Sequence, residues 1–273
     1  MLSSREAYRL LDVGGTAIKC ADGRSIPSRS GGTREQIAQA LRLAVGETAA
    51  LRGLGVAIPG PFDYREGIFR MDHKFAAVKG ISFRTLAGIP AGIPVRFLHD
   101  VNAVVAGAVR MLGLGGNTAV ITLGTGLGFG FTVQGTVQAN ALGSPARSLY
   151  NLPCREGILE DYVSARGIRN LYAQETGDDQ VSAQDIAERA RMGDRFARDA
   201  FRTAGAVLGE YLPPLLRELG IDTLLFGGQV SRSFDLLEAP LRESLAGVPG
   251  LIHVGMVPEG AVFEGLATLF END

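Results

Sequence analysis

Cysteine and lysine are the scarce residues of this 273-residue chain. Cys20 and Cys154 are its only cysteines. Two thiols cannot build a disulfide framework or a Cys-rich zinc site, and such usage predicts a reducing cytoplasm. Lysine occurs only at 19, 74 and 79; nearly all other basic residues are arginine. That reads as codon bias, but it makes each lysine conspicuous. No apolar run approaches the roughly 18 uncharged residues of a spanning helix, so no membrane association is expected. Residues 1–7 are polar and lack a signal-peptide core. Net charge is −2, no basic surface dominates, and nucleic acid is not an expected partner.

What is present is ordinary for a globular protein: 46% hydrophobic and 21% charged residues, enough chain for two modest domains. "YRLLDV", "AIKCAD" and "RSIPSR" read as short strands around glycine turns. Thr33 with Gln36 three residues on predicts a capped helix, with Ile37, Leu41 and Ala44 on one face. "LGVAIPG" and "VRFLHD" are further strands, the second ending on Asp100 and leading into a small-residue helix, "VNAVVAGAVRML". "TAVITLGTGLGFGFTV" reads as two strands joined by a glycine turn. Helices are predicted near 157–173, 182–192 and 194–219, the last kinked or broken at Pro213-Pro214. A buried strand "DTLLFGGQVS", a helix from about 233, a strand "LIHVGMV" and a closing helix over 260–271 complete the chain. Strands alternating with helices predict two mostly parallel or mixed sheets covered by helices.

Three glycine turns stand out: "DVGGT" at 12–16, "LGTGLGFG" at 123–130 and "FGGQVS" at 226–231, each after an apolar strand. Glycine has no Cβ, so backbone amides can approach a phosphate or a purine closely. Thr16 and Thr125 add hydroxyl donors, Asp12 is a candidate Mg²⁺ ligand, direct or through water, and Lys19 is a structural cation or a phosphate partner. A single Gly-Gly turn after a strand is a hairpin more often than a phosphate loop; three, each at the end of an apolar strand, point to a ligand. None is a P-loop, since no G-x-x-x-x-G-K-[ST] occurs, and "GLGFGF" opens no capped helix as a dinucleotide fingerprint would. Asp100, at a strand end where a helix opens, reads alone as an N-cap.

"DVGGTAIK", "GVAIPGP", "HDVNAVVAG", "TLGTGLGFG", "GILEDYVS" and "FGGQVSRS" occur in the order found in the ROK sugar kinases of the actin-like ATPase superfamily. The chain resembles their glucokinase, fructokinase and N-acetylmannosamine kinase group over nearly its whole length. The resemblance implies an α/β, ribonuclease H-like fold with two βββαβα-type domains around a cleft. These would be a small N-terminal domain over 1–108, with helix 260–273 packing back on it, and a larger domain over 109–259. It implies nucleotide contacts at Asp12, Gly14, Gly15, Thr16, Lys19, Gly124, Thr125, Gly126, Gly227 and Gly228, with ATP and Mg²⁺ as cofactors. It makes Asp100 the catalytic base. A carboxylate in reach of a sugar hydroxyl orients it and takes its proton during phosphoryl transfer. Gly60, His99, Gly128, Arg147, Tyr150 and Glu160 fall at acceptor positions, and a homodimer is implied.

Departures cluster at the acceptor. The family's Asn-Asp is His99-Asp100 here. Its Gly-Glu-x-Gly-His segment is matched by "ARSLY", with Arg147 at the Glu position and Tyr150 at the His position. The family's zinc loop reads "NLPCREGILE", its cysteine positions lost to Asn151, Pro153 and Ile158, with Cys154 where the family has glycine. No structural zinc is expected, and packing by Tyr150 and Leu152 would hold the loop. Arg147 reverses a charge. It selects an acidic, phosphorylated or otherwise unusual sugar or a cyclitol, or else it faces solvent or pairs with Glu156, Glu160 or Asp161. His73 and Lys74 either face the same pocket or lie on a solvated loop. Two functions remain open: an ATP-dependent kinase for a sugar or sugar-like hydroxyl, and a degenerate sugar or nucleotide sensor. Family repressors carry an N-terminal DNA-binding extension, and the seven residues before the first strand argue against that role.

Overall fold

The computed structural model describes residues 8–271. Readings that fall on residues 1–7 and 272–273 lie outside the described residues. The chain begins with strands β1 (Tyr8–Val13), β2 (Ala17–Cys20) and β3 (Ser25–Pro27), then helix α1 (Arg34–Val45) and strand β4 (Gly53–Ile58). A short hairpin, β5 (Phe62–Asp63) and β6 (Ile68–Phe69), precedes helix α2 (Phe83–Ala87), strand β7 (Val95–His99) and helix α3 (Asp100–Leu112). Strands β8 (Thr118–Leu123), β9 (Leu127–Val133) and β10 (Thr136–Val137) follow, then a small hairpin, β11 (Pro153–Cys154) and β12 (Gly157–Ile158). Helices α4 (Glu160–Val163), α5 (Ala165–Thr176), α6 (Ala183–Arg191) and α7 (Arg195–Glu218) come next. The chain closes with β13 (Thr223–Gly227), α8 (Phe234–Leu245), β14 (His253–Met256) and α9 (Ala261–Ala267).

These elements form two compact units of similar length. Of the described residues, the first takes in those up to Leu114, then Thr136–Ala146 and those from Pro258 on; the second holds Gly115–Gly135 and Arg147–Val257. The chain therefore passes between the units more often than one boundary at 108/109 would require, and neither unit is markedly the smaller.

In the first unit the sheet order is β3-β2-β1-β4-β7. The first three strands are antiparallel neighbours; β1, β4 and β7 run parallel. β4 is buried at every position, as a central parallel strand must be. The capping box of α1 forms: Thr33 accepts from the Gln36 amide and the Gln36 side chain accepts from the Thr33 amide. Ile37, Leu41 and Ala44 then face the sheet. α9 lies along α3 with backbones in direct contact. A Cβ on Gly107 would fall 1.7 Å from the Ala261 carbonyl oxygen, and one on Gly265 would fall 1.9 Å from that of Ala103. Only glycine fits either place.

In the second unit β9-β8-β13-β14 are adjacent in that order, with β8, β13 and β14 parallel. One helical expectation is corrected. The helix expected over 157–173 starts only at Glu160 and is interrupted at Ser164, because 157–158 pair in a hairpin and Ser164 caps a new helix by accepting from the Gly167 amide. α7 runs unbroken through Pro213-Pro214. Its buried stripe of Phe201, Leu208, Leu212 and Leu216 holds the helix in the core and overrides the two lost amide donors.

Candidate active site

Parallel pairing aligns the carboxyl ends of the first unit's strands. Asp12 lies opposite Ala57, and Ile58 lies opposite His99. Asp12, the Gly14–Thr16 turn, Gly60 and the His99-Asp100 pair therefore emerge along one edge, where open α/β sheets bind ligands.

The first glycine turn is a hairpin and is also open to a ligand. The Gly14 amide donates to the Ala17 carbonyl at 2.9 Å, closing β1 onto β2. The Gly15 carbonyl accepts from the hydroxyls of Ser28, at 2.7 Å, and Ser30, which fix the turn from below. Among the described residues the amides of Gly15 and Thr16 have no acceptor. Unpaired amides on an immobilised turn are an anion cradle.

Lys74 covers this turn. A Cβ on Gly15 would sit 3.0 Å from Lys74 Cδ and 3.5 Å from its Nζ. Its neighbour Phe75 holds the loop in place. Phe75 has φ 55 and a fully buried ring, and its amide donates to the Ser30 carbonyl at 2.7 Å. A left-handed non-glycine residue costs about 1–3 kcal/mol. Burying a phenylalanine ring contributes about 1.5–3 kcal/mol. The aromatic core thus holds the loop down.

Asp100 is the first residue of α3, not its cap. His99 occupies the N-cap. His99 Nδ1 lies 2.8 Å from Asp100 Oδ1, and the Val101 amide donates to the same oxygen at 2.7 Å. The Val101 amide is farther from Nδ1, at 3.3 Å. The shorter contacts assign the proton to Nδ1, which donates to Asp100. His99 Nε2 then faces Gly60, where a Cβ would come within 3.7 Å of it.

The two carboxyls are pushed apart in acidity. Burial and then the Asp100 charge push Asp12 up to about 6, against the pull of Lys19, its cross-strand partner. Asp100 is held below the usual carboxylate range. The protein packed around it opposes ionisation, but the His99 hydrogen bond and charge, the Val101 amide and Lys74 together outweigh that. Two carboxylates that repel each other, beside unpaired amides, fit a divalent cation carried with phosphate. Asp12 is the residue here that would hold Mg²⁺, directly or through water. No group of three or more His, Cys, Asp or Glu side chains converges among the described residues, so the remaining ligands would be phosphate oxygens and water.

The second and third glycine turns come together in the second unit. Gly227 at the end of β13 lies opposite Thr122 of β8. Gly228 has φ +89, and a Cβ there would meet the Leu123 carbonyl oxygen at 2.3 Å. Gly228 is thus pressed against the strand that leads into Gly124, Thr125 and Gly126. Thr125 is exposed, while Gly128 lies within β9 opposite Thr122. Glu160 supports this turn: its Oε2 accepts from the Leu127 amide at 2.8 Å, and a Cβ on Gly126 would collide with it at 2.7 Å.

Arg147 is exposed and pairs with Glu218, not with Glu156, Glu160 or Asp161. Tyr150 is 48% exposed, and its carbonyl accepts from the Glu160 amide at 3.1 Å. Leu149, Cys154 and Leu159 pack the 151–160 segment, all buried in the second unit's core with Leu152 against them. The Leu159 amide donates to the Leu152 carbonyl at 2.9 Å. Cys154 is an apolar core residue. Ser28, Ser30, Tyr64 and the placement of Lys74 were missed. Tyr64 packs on the His99 ring, 5.9 Å between centroids. No spacing signal marks the serines, which reach Gly15 from the far side of a three-stranded hairpin.

This architecture is that of the actin-like ATPases. Structures with the same fold include a ROK family glucokinase from Streptomyces griseus in complex with glucose and AMPPNP, with TM-score 0.77 and 22% identity, covering 95% of this chain and 97% of that one. Another is a ROK family protein from Streptococcus pneumoniae in complex with sucrose, with TM-score 0.76 and 17% identity, covering 95% and 96%. At such identities the likeness establishes the fold. The model of the ROK family matches residues 10–248, and the chain belongs to that family. It is 26% identical over 231 residues to a glucokinase of Thermotoga maritima, covering 75% of this chain and 72% of that enzyme. It is 25% identical over 282 residues to a glucokinase of Halalkalibacterium halodurans, covering 86% and 84%. No helix among the described residues is long and apolar enough to cross a membrane.

Proposed function

We propose that the protein is an ATP-dependent carbohydrate kinase that transfers a phosphoryl group to a hydroxyl of a sugar or sugar-like molecule. The observation that carries the reading is the Asp12–Asp100 pair at the carboxyl ends of parallel strands, beside the Gly14–Thr16 turn. Asp100 is ionised at neutral pH and shares only one oxygen with its helix and His99, so it accepts a hydroxyl proton. His99 orients it. The amides of Gly15 and Thr16 hold phosphate oxygens, and Asp12 holds Mg²⁺, whose charge would offset that of the phosphates. Gly124–Gly126, Gly227 and Gly228 belong to the nucleotide side, with glycine required where Gly228 meets Leu123. The glucokinase relatives support a sugar acceptor. A cytoplasmic homodimer without structural zinc completes the reading, carried by the family resemblance and the lost cysteine positions.

A second reading, a sensor without transfer activity, is favoured by one observation: Arg147 and Glu160, at two of the family's acceptor positions, are engaged with Glu218 and the second glycine turn.

ADP release from Mg-ATP across neutral hexoses, N-acetyl sugars, sugar acids and cyclitols separates the two. The kinase reading expects release that needs one acceptor and is lost in Asp100→Asn. Nucleotide binding with no release on the whole panel would favour the sensor.

A further inference from the structure

Of the chain's three lysines, two are matched to carboxylates: Lys79 pairs with Asp72, and Lys19 faces Asp12. Lys74 has no hydrogen bond or ion pair among the described residues. It is nevertheless half-buried, and its position is built. A chain of contacts runs from it to the phosphate turn: the Phe75 amide to the Ser30 carbonyl, the Ser30 hydroxyl to the Gly15 carbonyl, and the Lys74 stem back onto Gly15. The same ammonium lowers the proton affinity of Asp100 through its charge. An unpaired cation thus stands between a turn with free amides and the carboxylate that would deprotonate the acceptor.

We propose that Lys74 is a catalytic residue that binds the terminal phosphoryl group during its transfer. The assignment rests on the kinase reading above. The stem on Gly15 sets the direction: the ammonium serves the group that the turn holds, and a neutral acceptor sugar offers it no charge. The bond between the terminal phosphorus and the bridging oxygen of ATP breaks as the acceptor oxygen bonds to phosphorus. The acceptor proton goes to Asp100, and ADP leaves. Lys74 neither gains nor loses a proton; it offsets negative charge on the equatorial oxygens, as a point charge rather than a bidentate fork.

The test is calorimetric titration of wild type, Lys74→Met and Lys74→Arg with Mg²⁺ plus β,γ-imido-ATP and, separately, Mg²⁺ plus ADP. A lost charge-assisted contact corresponds to roughly tenfold or more in affinity. The expected result is that Lys74→Met loses about that factor for imido-ATP, keeps ADP affinity within about twofold, and is partly rescued in Lys74→Arg. An unchanged ratio of the two affinities, or equal losses for both nucleotides, would overturn the role of Lys74 and leave the kinase reading intact. Wild type that binds neither nucleotide would overturn both. If Lys74→Met melts well below wild type, Lys74→Gln, which keeps a polar but uncharged end on a shorter stem, carries the comparison.

Discussion

His99 Nδ1 lies 2.8 Å from Asp100 Oδ1, and the two residues sit at the junction of β7 and α3. The histidine holds the carboxylate ionised, so the acid limb of the kcat/KM profile should lie at low pH. His99→Phe removes the donor. The Asp100 pKa should rise, and the acid limb should move to higher pH with it. The stability linkage has the same sign: a depressed carboxylate stabilises above its unfolded pKa, and that stability is lost as pH falls through its folded pKa. In His99→Phe this loss should be smaller and should be complete at a higher pH. A pH–rate profile that does not move would remove His99 from the site.

Asp12 behaves in the opposite sense. Its folded pKa is pushed up to about 6, so the folded chain binds the extra proton between about 4 and 6. Stability should fall as pH rises across that window and level off above it. Asp12→Asn should remove the slope and stabilise the metal-free protein at pH 7.5 by on the order of 2 kcal/mol, while abolishing transfer. Chemical denaturation of both proteins at pH 4.5 and 7.5 reads this directly. A variant no more stable than wild type at pH 7.5 would refute the cost assigned to the buried charge.

The helix that begins with Asp100 is held by α9 at near-contact of backbones. Gly107→Ala or Gly265→Ala must push the helices apart, and overpacking of this kind typically costs about 1–3 kcal/mol. Gly92→Ala, where a Cβ meets nothing within 4 Å, is the control. Urea melts should separate them, with Gly92→Ala within about 0.5 kcal/mol of wild type. Equal stability of all three would show that α3 and α9 do not touch as described.

What could be read beforehand was local. Thr33 and Gln36 sit three residues apart, so their capping box is visible in the letters. Asp12 and Asp100 end apolar runs, and the three glycine turns come in family order. What could not be read depends on partners distant in sequence. Glu218 is 71 residues from Arg147, and nothing at 147 announces it. Pro213-Pro214 argues for a break in any isolated helix, and only the buried stripe of α7 reverses that. Lys74 looked like a solvated loop because the residues that seat it are Gly15 and, through Phe75, Ser30 on a different strand.

Glu160 separates structure from family habit most sharply. Family position makes it an acceptor ligand; here its carboxylate holds the Leu127 amide and fills the space that Gly126 leaves. Glu160→Ala would leave that amide unpaired, at a cost of about 1–3 kcal/mol. In the proposed function the turn it supports is on the nucleotide side. The KM for ATP should therefore rise, with the acceptor KM within about twofold of wild type. Glu160→Gln, which keeps an accepting oxygen, should be milder. Arg147→Ala breaks only an exposed pair with Glu218, worth at most about 1 kcal/mol, and should move neither KM. Steady-state kinetics with each substrate varied in turn decides between the roles. A rise in acceptor KM alone in Glu160→Ala would return Glu160 to the sugar, and a shift in acceptor preference in Arg147→Ala would return the charge reversal to specificity.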